Sequence, residues 1–269
     1  IITGPDALIA KDILERMQPQ LVSGDHISGQ EMMVLLEMYK PAAHTEQRPV
    51  VQSDLRISSR KKTATPSSEG QATYVGHLLN KELSFGLGPA GTGKTFLAVG
   101  AAVQFLQKGD VDKIILTRPA VEAGEKLGYL PGDMKEKVDP FMQPLYDSLG
   151  EFMTTKEVGK LIEEKVIEIS PLAYMRGRTL KNAFVILDEA QNATTMQMKM
   201  FLTRLGEVSR MAIVGDPKQV DLPRGVTSGL ADAAEKLAGI DDIGISYMTA
   251  KDQVRHPLVT KILEAYETD

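Results

Sequence analysis

The residues best placed to do chemistry form a glycine-rich octapeptide, Gly88-Pro89-Ala90-Gly91-Thr92-Gly93-Lys94-Thr95. It fits the spacing G-x-x-x-x-G-K-[ST]. Glycine has no Cβ, so successive backbone N–H groups can turn inward around a phosphate. Lys94 would then set a compact positive charge against the outer phosphates, and the Thr95 hydroxyl would ligate Mg²⁺. Residues 88–95 are therefore expected to hold a nucleoside triphosphate.

Further groups could complete a hydrolytic site. The apolar run Phe184-Val185-Ile186-Leu187 ends in Asp188-Glu189. Asp188 at a strand tip would hold Mg²⁺, directly or through water. Glu189 would polarise the attacking water as a general base. An Asp-Glu pair suits transfer to water, whereas a kinase positions an acceptor hydroxyl. In Val214-Gly215-Asp216-Pro217-Lys218-Gln219 the glutamine could touch the terminal phosphate and report its loss to residues 221–225. Arg255, in Gln253-Val254-Arg255-His256-Pro257, is the candidate guanidinium for the transferring phosphate, a role worth ~10³–10⁵ in rate where it operates. A surface ion pair is the competing reading. Gln71 has the offset to read an adenine edge with an amide that both donates and accepts. Tyr74 either stacks on that base or packs in the core. ATP is thus the expected nucleotide, and no Asn/Thr-Lys-x-Asp guanine-reading motif is present. The four histidines are widely spread, which argues against a zinc site.

These side chains need strands that end along one edge of a sheet. Strands are expected at 83–87, 113–117, 166–170, 183–187, 211–215 and 243–248, and helices at 95–107, 134–149, 154–165, 194–205, 229–237 and 258–266. The alternation implies an α/β fold with a parallel sheet covered on both faces. Ligands in such sheets sit at the carboxyl ends of the strands, and strand–loop–helix order puts the anion at a helix N-terminus. Residues 1–44 read as a small helical region and 45–70 as a linker, or a weak hairpin lying over the main domain. The nucleotide-binding domain is expected to run from 71 to 269. The basic run Arg56, Arg60, Lys61, Lys62 could touch RNA or DNA, although a solvated loop is the simpler reading. Met196, Met200, Phe201 and Leu205 recur at helical spacing and are expected in the core.

Composition sets outer bounds. A chain of 269 residues suffices for one large domain with a small appendage. Its 42% apolar and 25% charged content is that of an ordinary globule. No stretch approaches the roughly 20 apolar residues of a membrane span, and no signal-peptide pattern opens the chain. The absence of cysteine excludes disulfides and thiolate metal sites and fits a reducing, cytoplasmic compartment. A net charge of −5 argues against wholesale coating of nucleic acid but leaves room for a local basic groove. The opening Ile1-Ile2, without methionine, is expected of a fragment.

The 88–95 loop, Leu187-Asp188-Glu189-Ala190-Gln191-Asn192 and Gly215-Asp216 with Gln219 resemble motifs of superfamily 1 helicases. Longer runs at 117–132, 144–147, 173–179, 221–223 and 254–258 resemble the bacterial PhoH-type (phosphate-starvation-inducible) ATPases, and the likeness extends from Gln71 to Tyr266. The resemblance implies a RecA-like P-loop ATPase core with ATP and Mg²⁺. It also implies a homo-oligomeric ring, a hexamer, and a role in RNA metabolism beside an endoribonuclease. The family's region before residue 70 is similar to a small RNA-binding module. Here that region is expected to lack its beginning, and no aromatic stacking platform is expected in it. No second RecA-like domain is expected after Gln219, so Arg255, or alternatively Arg224, is expected to serve its own site or that of a neighbouring copy. Arg118, Lys126, Lys135, Arg176 and Arg178 are candidates either for following RNA phosphates or for salt bridges between subunits.

The function expected is Mg²⁺-dependent hydrolysis of ATP to ADP and phosphate, coupled to single-stranded RNA. The alternative is a nucleotide-gated adaptor for a partner ribonuclease, without helicase activity. A small-molecule kinase is disfavoured by Glu189 and by the lack of an arginine-rich lid.

Overall fold

Continuous apolar runs become the buried strands of a parallel sheet, and amphipathic runs become the helices that cover it. The computed structural model describes residues 55–119, 134–254, 258, 259 and 262, with 134–140 described through their backbone alone. The helical region expected at 1–44, residue Arg255 and most of the helix expected at 258–266 lie outside the described residues.

A short hairpin, β1 (Ile57–Ser58) and β2 (Thr63–Ala64), leads into α1 (Glu69–Asn80). There follow β3 (Leu83–Leu87), α2 (Lys94–Lys108), β4 (Lys113–Arg118), α3 (Met134–Phe152) and α4 (Thr155–Glu163). The chain continues through β5 (Ile167–Pro171), β6 (Ala183–Leu187), α5 (Thr195–Leu202), β7 (Arg210–Gly215), α6 (Gly229–Leu237) and β8 (Ile243–Tyr247). Strands β3 to β8 form one six-stranded sheet in the order β5-β4-β6-β7-β3-β8, every pair parallel. This is the α/β arrangement expected, a parallel sheet covered by helices on both faces. Register sets the carboxyl tips side by side: Leu87 pairs with Gly215, and Leu187 with Ile213.

One face of the sheet is covered by α1, α2 and α3 through Tyr74, Leu78, Leu97, Val103, Leu149 and Phe152. The other face is covered by α5 and α6 through Met198, Phe201 and Leu230, packed on Phe85 and Leu187. Helices α2 and α3 approach closely at Gly100, where a Cβ would come within 2.5 Å of Phe152 Cζ. Tyr74 packs in this core with no exposure, its ring against Gly86 of β3. Burial pushes its phenol pKa up.

Three features depart from the expectations. Helix α1 was not anticipated. Met196 is not core but 82% exposed, because α5 turns Met198 and Phe201 inward instead. The basic run is partly used inside the fold. The Lys61 ammonium donates to Gly150 O near the end of α3, and Lys62 pairs with Glu151 at 2.8 Å while lying over the Phe96 ring. Cations at a helix C-terminus meet carbonyls that lack intrahelical partners. With Ile57 buried and Ser58 N–H donating to Gln104 Oε1 at 2.6 Å, the hairpin is stapled to α2 and α3.

Candidate active site

Strand β3 ends at Leu87, and the chain must leave the sheet at once. Gly88 does so at φ 147, with its α-carbon pressed against the Met248 carbonyl where a side chain would clash. Gly91 and Gly93 follow at φ 81 and 79, the left-handed region open to glycine at little cost. Gly93 caps α2, so the free N–H groups of that helix open onto the loop.

The loop is held from several sides. Gly88 N–H donates to Gly215 O at 3.2 Å, and Val254 N–H to Gly91 O at 2.9 Å. Gln253 Nε2 donates to Ala90 O at 3.1 Å. Gln71, expected at the base edge, is 5% exposed with both ends of its amide engaged within the chain. Its Nε2 donates to Thr92 O at 3.1 Å, and its Oε1 accepts from Ser67 N–H and Oγ–H at 2.8 Å each.

Lys94 Nζ donates to Gly88 O and Pro89 O, both at 2.7 Å. Burial lowers its pKa from the ordinary lysine range, while Asp216, Asp188 and Glu189 pull it back up. Thr95 Oγ–H donates to Asp188 Oδ1 at 2.7 Å, bringing the loop and the acidic strand tip into direct contact. Because β7 lies between β3 and β6, Asp216 ends between the loop and Asp188. A cleft of about 320 Å³ results, lined by Gly91, Lys94, Thr95, Asp188, Glu189, Asp216 and Gln219 among others. The candidates from the loop, the acidic pair and the glutamine thus converge, and Gln71 stands behind the loop.

Three residues in this site were not anticipated in it. Arg118, expected on a nucleic-acid surface, instead donates to Asp188 Oδ2 through Nε at 2.9 Å and Nη2 at 2.5 Å, and to Phe141 O through Nη1 at 2.8 Å. Gln191 donates to Glu189 Oε2 at 2.6 Å, and Asn192 exchanges hydrogen bonds with Asp221. Their place beside the Asp-Glu pair, within the run 187–192 that resembles a helicase motif, is the signal that could have flagged the two amides. Arg178 forms a fork on Glu168, with contacts of 2.5 and 2.7 Å, while Arg176 and Arg224 are exposed. Lys126 lies outside the described residues.

A family model described as PhoH-like protein matches residues 63–267 of this chain. The chain belongs to the PhoH family. A PhoH-like protein of Bacillus subtilis is 50% identical over 96% of this chain and 81% of its own length. Protein PhoH of Escherichia coli K12 is 46% identical over 74% of this chain and 57% of its own. Among solved structures, a Sulfolobus solfataricus SWI2/SNF2 ATPase core in complex with dsDNA aligns at TM-score 0.36 and 14% identity, covering 54% of this chain and 30% of that one. PhoH is a P-loop ATPase family, so the cleft belongs to a nucleotide-binding ATPase core. Among the described residues no helix is long and apolar enough to cross a membrane.

Proposed function

We propose that this chain binds ATP with Mg²⁺ in the cleft between the α2 N-terminus and the tips of β6 and β7, and hydrolyses it to ADP and phosphate. The observation that carries the reading is the 2.7 Å contact between Thr95 Oγ and Asp188 Oδ1, in a cleft that Lys94 and Glu189 also line. A hydroxyl and a carboxylate oxygen brought together are the hard donors that Mg²⁺ takes. Thr95 and Asp188 would hold the ion, which when bound neutralises charge on the phosphate oxygens.

The chain's own groups divide the work. Backbone N–H groups of 88–95 and the first turn of α2 cradle the β- and γ-phosphates. Lys94 exchanges its two loop carbonyls for phosphate oxygens. Glu189 accepts a proton from the attacking water at a carboxylate oxygen, as a general base must. Gln219 contacts the γ-phosphate, and its loss is passed to 221–225. Coupling to single-stranded RNA in the cytoplasm, a ring of copies and an endoribonuclease partner complete the proposal. They are supported by the resemblance to the PhoH-type ATPases and by the helicase-like motifs. Arg255 is proposed as the arginine facing the phosphate.

Glu189→Gln is expected to bind ATP with wild-type affinity while turnover falls by ~10²–10⁴, the usual worth of a general base. Normal hydrolysis by this variant would remove Glu189 from the mechanism. Single-stranded RNA added to the wild-type assay should raise the rate. An unchanged rate favours the adaptor reading.

A further inference from the structure

The short turn that follows the acidic pair, Ala190–Asn192, uses two consecutive amides to hold three pieces of the site together. Gln191 is 1% exposed. Its Nε2 donates to Glu189 Oε2 at 2.6 Å, and its Oε1 accepts from Asp216 N–H at 3.1 Å. A Cβ at Gly215 would come within 2.5 Å of that same Oε1, so β7 lies against the amide as closely as glycine permits. Asn192 Oδ1 accepts from Asp221 N–H at 2.8 Å, and its Nδ2 donates to Asp221 Oδ2 at 3.3 Å. Residues 216 and 221 bracket Gln219. Both ends of the segment bearing the γ-phosphate glutamine therefore hang on adjacent amides of one turn. That turn starts at Glu189 with φ 51 and ψ 38, a left-handed conformation costly to a residue with a side chain.

We propose that Gln191 and Asn192 are positioning residues that make the base and the Gln219 segment one mechanical unit. Gln191 sets the direction of the Glu189 carboxylate and ties it to β7. Asn192 ties the same turn to Asp221. The inference rests on the hydrolytic reading of Glu189. An amide suits the task because it donates at one end and accepts at the other while adding no charge beside the carboxylates. A buried amide satisfied at both ends is also rigid, since either bond lost leaves a polar group unpaired at a cost.

The test is a double-mutant cycle on the full chain, following single-turnover phosphate release, KM for ATP and melting temperature. Gln191→Met keeps length and volume but loses both hydrogen bonds. Its kcat should fall about 10- to 100-fold, the scale of an ångström's misplacement, with KM unchanged within about threefold. In a Glu189→Gln background the same substitution should lower turnover no further than about twofold, because its effect runs through Glu189. Asn192→Ser should show the same non-additivity at smaller amplitude. Gln191→Glu keeps the acceptor for Asp216 N–H and loses the donor to Glu189, so it should also lose turnover, and it serves if Gln191→Met does not fold. A kcat for both Gln191 variants within about twofold of wild type would overturn the proposal, as would an equal loss in both backgrounds, the mark of independent action. Wild-type turnover by Glu189→Gln alone would overturn the hydrolytic reading and the relay with it. Loss of turnover there, with additive Gln191 effects, overturns the relay only.

Discussion

The Thr92 carbonyl accepts from Gln71 Nε2 at 3.1 Å, and Ser67 fills the other end of the same amide. An amide so engaged supports the phosphate loop for any nucleotide that the loop holds. We propose that it does not select a base. Removing it leaves a buried carbonyl unpaired in the loop, at about 1–3 kcal/mol. Gln71→Ala is therefore expected to weaken ATP and GTP binding together, by roughly tenfold for each 1.4 kcal/mol lost. Fluorescence titration with both nucleotides checks this, and selective loss of ATP would restore the adenine-reading role. Arg118 makes a related point. Its contacts to Asp188 neutralise a carboxylate that is 2% exposed, and a buried carboxylate needs such partners.

Among the elements, Glu168 of β5 and Arg178 beyond the turn at Leu172–Met175 form the clearest electrostatic tie. Hydrogen bonding by Arg178 holds the Glu168 carboxyl below its ordinary pKa, against the opposing effect of burial. A depressed carboxylate pKa stabilises the fold above the unfolded-state value and loses that contribution as pH falls through the folded value. Both side chains are 36% exposed, so solvent screening limits the tie to about 0.5–1 kcal/mol. Arg178→Met should lower stability by that amount at pH 7, and the gap to wild type should close in acid. Denaturant unfolding at several pH values measures it, and a gap independent of pH would show that packing is the cause. The strands were legible because each is a short apolar run with a turn at its end, and β3, β6 and α6 fall at their expected bounds. Helix α1 was not, because Glu69–Asn80 carries Gly70 and Gly76 and only a weak apolar rhythm. The loop and the acidic pair were readable since their chemistry is local. The partners of Gln71, Arg118 and Gln191 come from residues 21, 70 and 25 positions away, respectively, which spacing alone does not encode.

At the scale of the molecule, the cleft exists only when β3, β6 and β7 lie in register and α2 enters behind the loop. Residues 253 and 254, far along the chain, also hydrogen-bond the loop. No fragment of this arrangement survives unfolding, so a nucleotide bound there stabilises the whole native state. One ligand at a hundred times its dissociation constant contributes about 2.7 kcal/mol. For a domain of this size each kcal/mol moves the melting temperature by roughly 2–4 °C, so saturating Mg²⁺ and ATP should raise it by roughly 5–10 °C. Chelating Mg²⁺ should remove most of the rise, since Asp188 and the phosphates would then face each other without a cation between them. Lys94→Ala should abolish the rise, measured against the variant's own ligand-free melting temperature, which should itself fall because Gly88 O and Pro89 O lose their donor. A shift of equal size in Lys94→Ala, or one indifferent to chelation, would place the nucleotide outside this cleft.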